Sequence, residues 1–164
     1  MHSQTTTRLQ VMMEKKEKYE AMLPQLEALI EGEHDETAVL ANASAVLATQ
    51  FGWFWTGFYV VRGDELLLGP FQGRVACMHI PFGRGVCGSA WKERRTLVVP
   101  DVEAFPGHIA CSSLSRSEIV VPIYNKVGEV RAVLDIDSTE LAAFDDTDRQ
   151  YLEHAAEIIS KQIY

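Results

Sequence analysis

An α+β fold with a mainly antiparallel central sheet and helices packed on one face follows from three features of this 164-residue sequence. The first third is helical in pattern, strand-like runs with short connections follow, and one amphipathic helix closes the chain. Short connections favour antiparallel neighbours, and the middle of the chain has too few βαβ crossovers for a doubly wound sheet.

The elements read in order as follows. Leu9–Ile30 is rich in helix formers, with Pro24 expected to separate two helical pieces or to open the second. Asp35 suits an N-cap for Thr37–Gln50, where Val39, Leu40, Ala43, Val46 and Leu47 recur at helical spacing. Phe54–Val61 and Glu65–Leu68 are β-rich and flank Arg62–Gly63–Asp64, a hairpin signal. Val75–Ile80 reads as the next strand, Cys87–Glu93 as a short helix after the turn Phe82–Gly85, and Thr96–Val99 as a brief strand. A long loop spans Asp101–Ser117. Glu118–Tyr124 and Val130–Asp137 are strands joined through Asn125–Gly128. Asp145 caps the last helix, Asp148 adds an early negative charge, and Leu152, Ala155, Ala156, Ile159 and Ile163 form its apolar stripe. Residues 1–8 are expected to be a flexible N-terminus and 9–164 a single domain.

The formal charge is −8, and Lys92, Arg94 and Arg95 form the largest basic cluster, so no nucleic-acid footprint is expected. Neither a bilayer-length apolar run nor a signal-peptide pattern is evident, which predicts a cytoplasmic protein without a membrane partner. Three cysteines at wide spacing suggest reactive or buried thiols and not a disulfide scaffold.

Cys111 stands in HIACSSLSRSEIV, among small polar residues with little apolar cover. His108 or Arg116, if close, would raise its thiolate content. Cys77 would share a strand face with Val75 and His79, whereas Cys87 follows a glycine-rich turn, where free helical N–H groups could favour a thiolate. Either could sit near Cys111 and form a reversible disulfide with it. A structural zinc site using the cysteines with His79 or His108 is the rival, but the ligands are spread over more than thirty positions without a close Cys pair.

Strand alternation puts Val133, Asp135 and Asp137 on one face and Leu134 and Ile136 on the other, while Glu118 opens the neighbouring strand. Acids so grouped either face solvent or line a cavity, where crowding lets one keep a proton near neutral pH. A cavity of that kind suits a small zwitterion. Trp55 and Tyr59 lie on one strand face, with Trp53 expected in the same parity, and form either core or a ligand wall.

These residues sit in segments that together resemble the free methionine-(R)-sulfoxide reductases, a family built on the GAF fold. The segments are WTGFY (Trp55–Tyr59), LGPFQGRVAC (Leu68–Cys77), GRGVCGSA (Gly83–Ala90), DVEAFPGHIAC (Asp101–Cys111), SEIVVPI (Ser117–Ile123) and VLDIDS (Val133–Ser138). The resemblance implies a GAF-like catalytic domain over 9–164 that reduces free L-methionine (R)-S-oxide to L-methionine. It implies Cys111 as the attacking thiol, Cys77 as its disulfide partner and Cys87 as an auxiliary or alternative resolving thiol. It further implies substrate binding by Glu118, Asp135, Asp137, Trp55 and Tyr59. No bound cofactor or metal is implied; thioredoxin as external dithiol and a homodimer are. Ser112 and Ser113 depart from the acidic residue that often follows the family's nucleophile. The alternative from another class is a non-catalytic, small-ligand-binding GAF sensor module.

Overall fold

A computed structural model describes residues 7–164. In chain order the elements are α1 (Arg8–Ile30), α2 (Glu36–Phe51), β1 (Trp55–Arg62), β2 (Glu65–Gln72), β3 (His79–Pro81), α3 (Gly85–Glu93), β4 (Leu97–Val99), β5 (Ser117–Tyr124), β6 (Val130–Ser138) and α4 (Asp146–Ile163). A 3-10 turn, Val102–Ala104, interrupts the loop before β5. The strands form one sheet in the order β3-β2-β1-β6-β5-β4, and each neighbouring pair is antiparallel. Two hairpins, β1–β2 and β5–β6, meet through β1 and β6 at the centre. That seam positions the site.

Helix ends follow local chemistry. Thr7 and Gln10 form a capping box that starts α1 at Arg8; the rest of the expected N-terminal tail, residues 1–6, lies outside the described residues. Asp35 caps α2, and Asp145 and Asp148 form a second capping box on α4. Pro24 does not divide α1, which runs unbroken across it. Proline removes one backbone donor, but Tyr19, Met22, Leu23, Leu26 and Ile30 on either side are all buried and hold the turns in line.

Strand alternation splits the apolar residues into two clusters. Phe58, Ile119, Val121, Ile123, Ala132, Leu134 and Ile136 face α1, α2 and α4 and form the larger one with them. Their neighbours Trp55, Tyr59, Val120 and Val133 point to the other face, where they meet α3 and β4. Period-2 alternation thus gives one sheet two interiors. Trp53 departs from the expected parity: it lies ahead of β1 and packs with the larger cluster, stacking on Phe51 at 4.2 Å.

Val75–Met78 is not strand, contrary to expectation; β3 is confined to His79–Pro81, while β2 runs on to Gln72. The shared strand face for Val75, Cys77 and His79 is therefore absent. Val75 and Met78 are exposed, so no packed sheet edge rewards extension there. Among the described residues, no helix is long and apolar enough to cross a membrane.

Candidate active site

The second face of the sheet carries a cavity of about 50 Å³ floored by acids. Glu118 on β5 lies directly opposite Asp137 on β6, and Val120 opposite Asp135, so antiparallel register alone gathers the three carboxyls. Glu118 and Asp135 are buried and Asp137 half-buried. Burial pushes Glu118 and Asp137 well above the usual carboxyl range, and the negative charge of Asp135 pushes both further. Burial also raises Asp135, although hydrogen bonding to its neighbours restrains the rise. Carboxyls packed and buried this closely keep a proton among them.

Aromatic rings wall the acids. Trp55 pairs with Asp137 and Gly57 with Asp135 across the β1–β6 seam. A side chain at Gly57 would meet Phe71 and would come 2.7 Å from the Trp55 ring, so the missing side chain is what lets that ring fold over the strand. Trp55 stacks on Phe71 at 5.2 Å and on Tyr59 at 6.0 Å. Its indole N–H donates to the Arg74 carbonyl at 3.0 Å, reached through Gly73 at φ 144°. Tyr59 donates its hydroxyl to the Cys77 carbonyl at 2.8 Å.

At the mouth, Cys77 and Cys111 are joined by a disulfide with their Cα atoms 5.4 Å apart. Both are half-buried and both belong to irregular segments, Cys77 between β2 and β3 and Cys111 in the loop before β5. Cys87 is free and buried. Its thiol donates a long hydrogen bond, 4.0 Å, to Glu118 Oε2. The helix-start environment expected to favour a Cys87 thiolate is overridden, because burial and the nearby Asp135 and Glu118 charges push this thiol well up. With Cys77 and Cys111 bonded to each other and His79 held at the surface by Glu65 at 2.8 Å, the four-ligand zinc set is not assembled.

The cavity therefore brings together Cys87, Cys111, Glu118, Asp135, Asp137, Trp55 and Tyr59, with Cys77 bonded at its edge. It also holds side chains that sequence reasoning did not assign to a ligand wall. Arg74 enters through the turn after β2, and Ile109 and Ser115 through the Cys111 loop; Phe71 backs the Trp55 ring from behind. Gly73 was the available signal for Arg74, since it makes room for the Trp55 ring that bonds the Arg74 carbonyl. A thiol pair that has closed on itself, acids that hold protons and an aromatic wall together suit attack on a small polar molecule whose oxygen leaves with a proton.

The comparisons agree with this chemistry. The GAF domain family model matches residues 33–163. GAF domain-containing protein A of Dictyostelium discoideum is 55% identical over 146 residues, covering 88% of this chain and 92% of the relative. The free methionine-R-sulfoxide reductase of Escherichia coli is 44% identical over 150 residues, covering 91% and 90%. The X-ray structure of free methionine-R-sulfoxide reductase from Neisseria meningitidis, in complex with its substrate, superposes with a TM-score of 0.88. It shares 56% identity, over 90% of this chain and 89% of that one. A GAF sheet carrying a closed thiol pair above buried acids, matched along almost its whole length, places this chain in the GAF domain family and, within it, among the free methionine-R-sulfoxide reductases.

Proposed function

We propose that this protein reduces free methionine (R)-sulfoxide to methionine, with Cys111 as the attacking thiol. The reading is carried by the Cys77–Cys111 disulfide standing over Glu118, Asp135 and Asp137. The substrate ammonium meets the carboxyls, while Trp55 and Tyr59 flank the sulfur end. A peptide-bound methionine sulfoxide has no free ammonium to offer, so the buried acids lose their partner and such a substrate is rejected.

Cys111 sulfur attacks the sulfoxide sulfur, and a protonated carboxyl of the Glu118–Asp137 pair gives its proton to the departing oxygen. The oxygen transfers to Cys111, which becomes a sulfenic acid, and methionine leaves with its sulfur reduced. Cys77 then displaces water from the sulfenic acid and the disulfide closes. Cys87, buried and outside that bond, has no resolving role in this sequence of steps. An external dithiol, thioredoxin, attacks the disulfide, passes through a mixed disulfide and leaves oxidised, returning two thiols.

Both redox cysteines sit on irregular segments, and this leaves Cys111 free to serve the substrate and Cys77 in turn. The protein acts in the cytoplasm as a homodimer. Leu9, Val11, Met12 and Met13 near the start of α1 are exposed and supply apolar surface for pairing; sedimentation at rising concentration checks it.

The deciding experiment is a thioredoxin-coupled assay on both free sulfoxide diastereomers and on a sulfoxide-containing peptide. Turnover of the free (R) form alone is the expected result. Cys111→Ser should abolish it without changing the circular dichroism spectrum. Normal turnover by that variant, or consumption of neither diastereomer, rejects the reading; the latter would favour the sensor module.

A further inference from the structure

Cys87 is a buried nucleophile that the Cys77–Cys111 chemistry does not use. Its surroundings are specific. Cys87 Sγ, one carboxylate oxygen of Glu118 and one of Asp135 all lie within 4.8 Å of one another. Asp135 is only 6% exposed, it lines the cavity, and its Oδ1 has no hydrogen-bond partner among the described residues. An ammonium ion explains the carboxylates but makes no use of a sulfur donor. A borderline-soft divalent cation uses both, since thiolate and carboxylate oxygen are ordinary ligands for it.

We propose that the disulfide-linked form binds one thiophilic divalent cation of the zinc class through Cys87 Sγ, Glu118 and Asp135. Water fills the remaining position, for which a cavity of about 50 Å³ has room. Binding exchanges the thiol proton, and any proton held by the ligating carboxyls, for metal–ligand bonds and releases these protons to solvent, with no change of oxidation state. The carboxyl of Asp137 lies across from Glu118 and adds negative charge, while Arg74, Arg84 and His108 line the same cavity from the outer loops and oppose the cation. The bound ion occupies two of the acids assigned above to the substrate ammonium, so cation and amino acid exclude each other. The metal site itself does not depend on the reductase reading.

Cobalt(II) is the probe. The chain has three cysteines, and with Cys77 and Cys111 bonded the Cys87 thiol alone is free. A thiolate-to-cobalt charge-transfer band therefore reports Cys87 and nothing else. Titration of the oxidised protein, its disulfide verified by mass, should give that band with saturation at one cobalt per chain. Added zinc should bleach it stoichiometrically. Cys87→Ser should lose the band, and Glu118→Gln should weaken binding on the order of tenfold or more, the scale that even an outer partner's loss carries. Absence of the band in the unaltered protein overturns the proposal whether or not the variants fold. So does its survival in Cys87→Ser, or cobalt affinity unchanged in Glu118→Gln. Protein that turns over free sulfoxide yet shows no band loses the metal site and keeps the reductase function; the reverse result separates them equally well.

Discussion

Two buried aspartates, one on each side of the sheet, are treated in opposite ways. Asp148, in the first turn of α4, is fully buried against α1, and both its oxygens are engaged. Oδ1 accepts from the Tyr19 hydroxyl at 2.5 Å, and Oδ2 from Lys15 Nζ at 2.7 Å and the Asp145 N–H at 2.9 Å. Asp135, at the floor of the cavity, is almost as deeply buried, yet its Oδ1 has no partner among the described residues and the acids Glu118 and Asp137 crowd it. A buried carboxyl left in that condition costs folding free energy. The first aspartate fastens a helix to the fold. The second leaves an oxygen without a partner among the described residues, the condition that the proposed function fills with the substrate ammonium.

The contrast is broken most severely at the cavity. Asp137→Asn and Glu118→Gln should each lower kcat/KM by about 100-fold or more, the usual scale for a lost proton donor. Both variants should also melt a few degrees higher than the parent at neutral pH, because a neutral amide replaces a crowded acid. Steady-state kinetics and thermal melts on the same preparations check the pair of effects; a variant that loses activity and stability together would place the acid with Asp148 instead. Asp148→Ala should do the reverse. It strands Tyr19 and Lys15 and should cost about 3 kcal/mol in denaturant unfolding, with kcat/KM in the folded protein unchanged.

A smaller effect lies in the pH dependence of stability. Glu118, Asp135 and Asp137 titrate above the usual carboxyl range, so the folded protein holds protons that the unfolded chain has released. Their contribution is complete below the unfolded values, about pH 4, and is lost as pH rises through the higher folded ones. Asp145 runs the other way: the Asp148 backbone N–H and the Lys15 charge hold it below the usual range, so its contribution fades only as pH falls through that lower value. Melting temperature above about pH 5 should therefore decline with pH, and Asp135→Asn should flatten the slope. A slope unchanged in that variant would mean the cavity acids are ionised throughout. The smallest change, Tyr19→Phe, removes one hydrogen bond to Asp148 and should cost about 1–2 kcal/mol in urea unfolding without altering turnover.

Much of this was open to reading because strand alternation is local. Asp135 and Asp137 separate from Leu134 and Ile136 by parity alone, and the caps at Asp35 and Asp145 are written within four residues. The fate of Asp148 was not legible, since its partners Lys15 and Tyr19 lie more than 125 positions away. Periodicity misjudged Val75–Met78 because an apolar run reads as strand even where no neighbour covers it. It misplaced Trp53 because parity begins only where the strand does, at Trp55. Proline propensity at Pro24 yielded to the packing of α1 on the core. Nothing local distinguishes Cys77 from Cys87 as the mate of Cys111; only the family resemblance pointed to Cys77, the cysteine that Cys111 is joined to in the fold.

The Tyr59 hydroxyl that grips the Cys77 carbonyl has a mechanical consequence. One rigid ring spans the distance from a central strand to a turn that the Trp55 indole also grips at the Arg74 carbonyl and the Leu68 N–H at the Met78 carbonyl. Position 77 is thus set from the sheet and not by its own exposed side-chain neighbours. Val75 and Met78 can then vary in bulk without moving the sulfur that is bonded to Cys111.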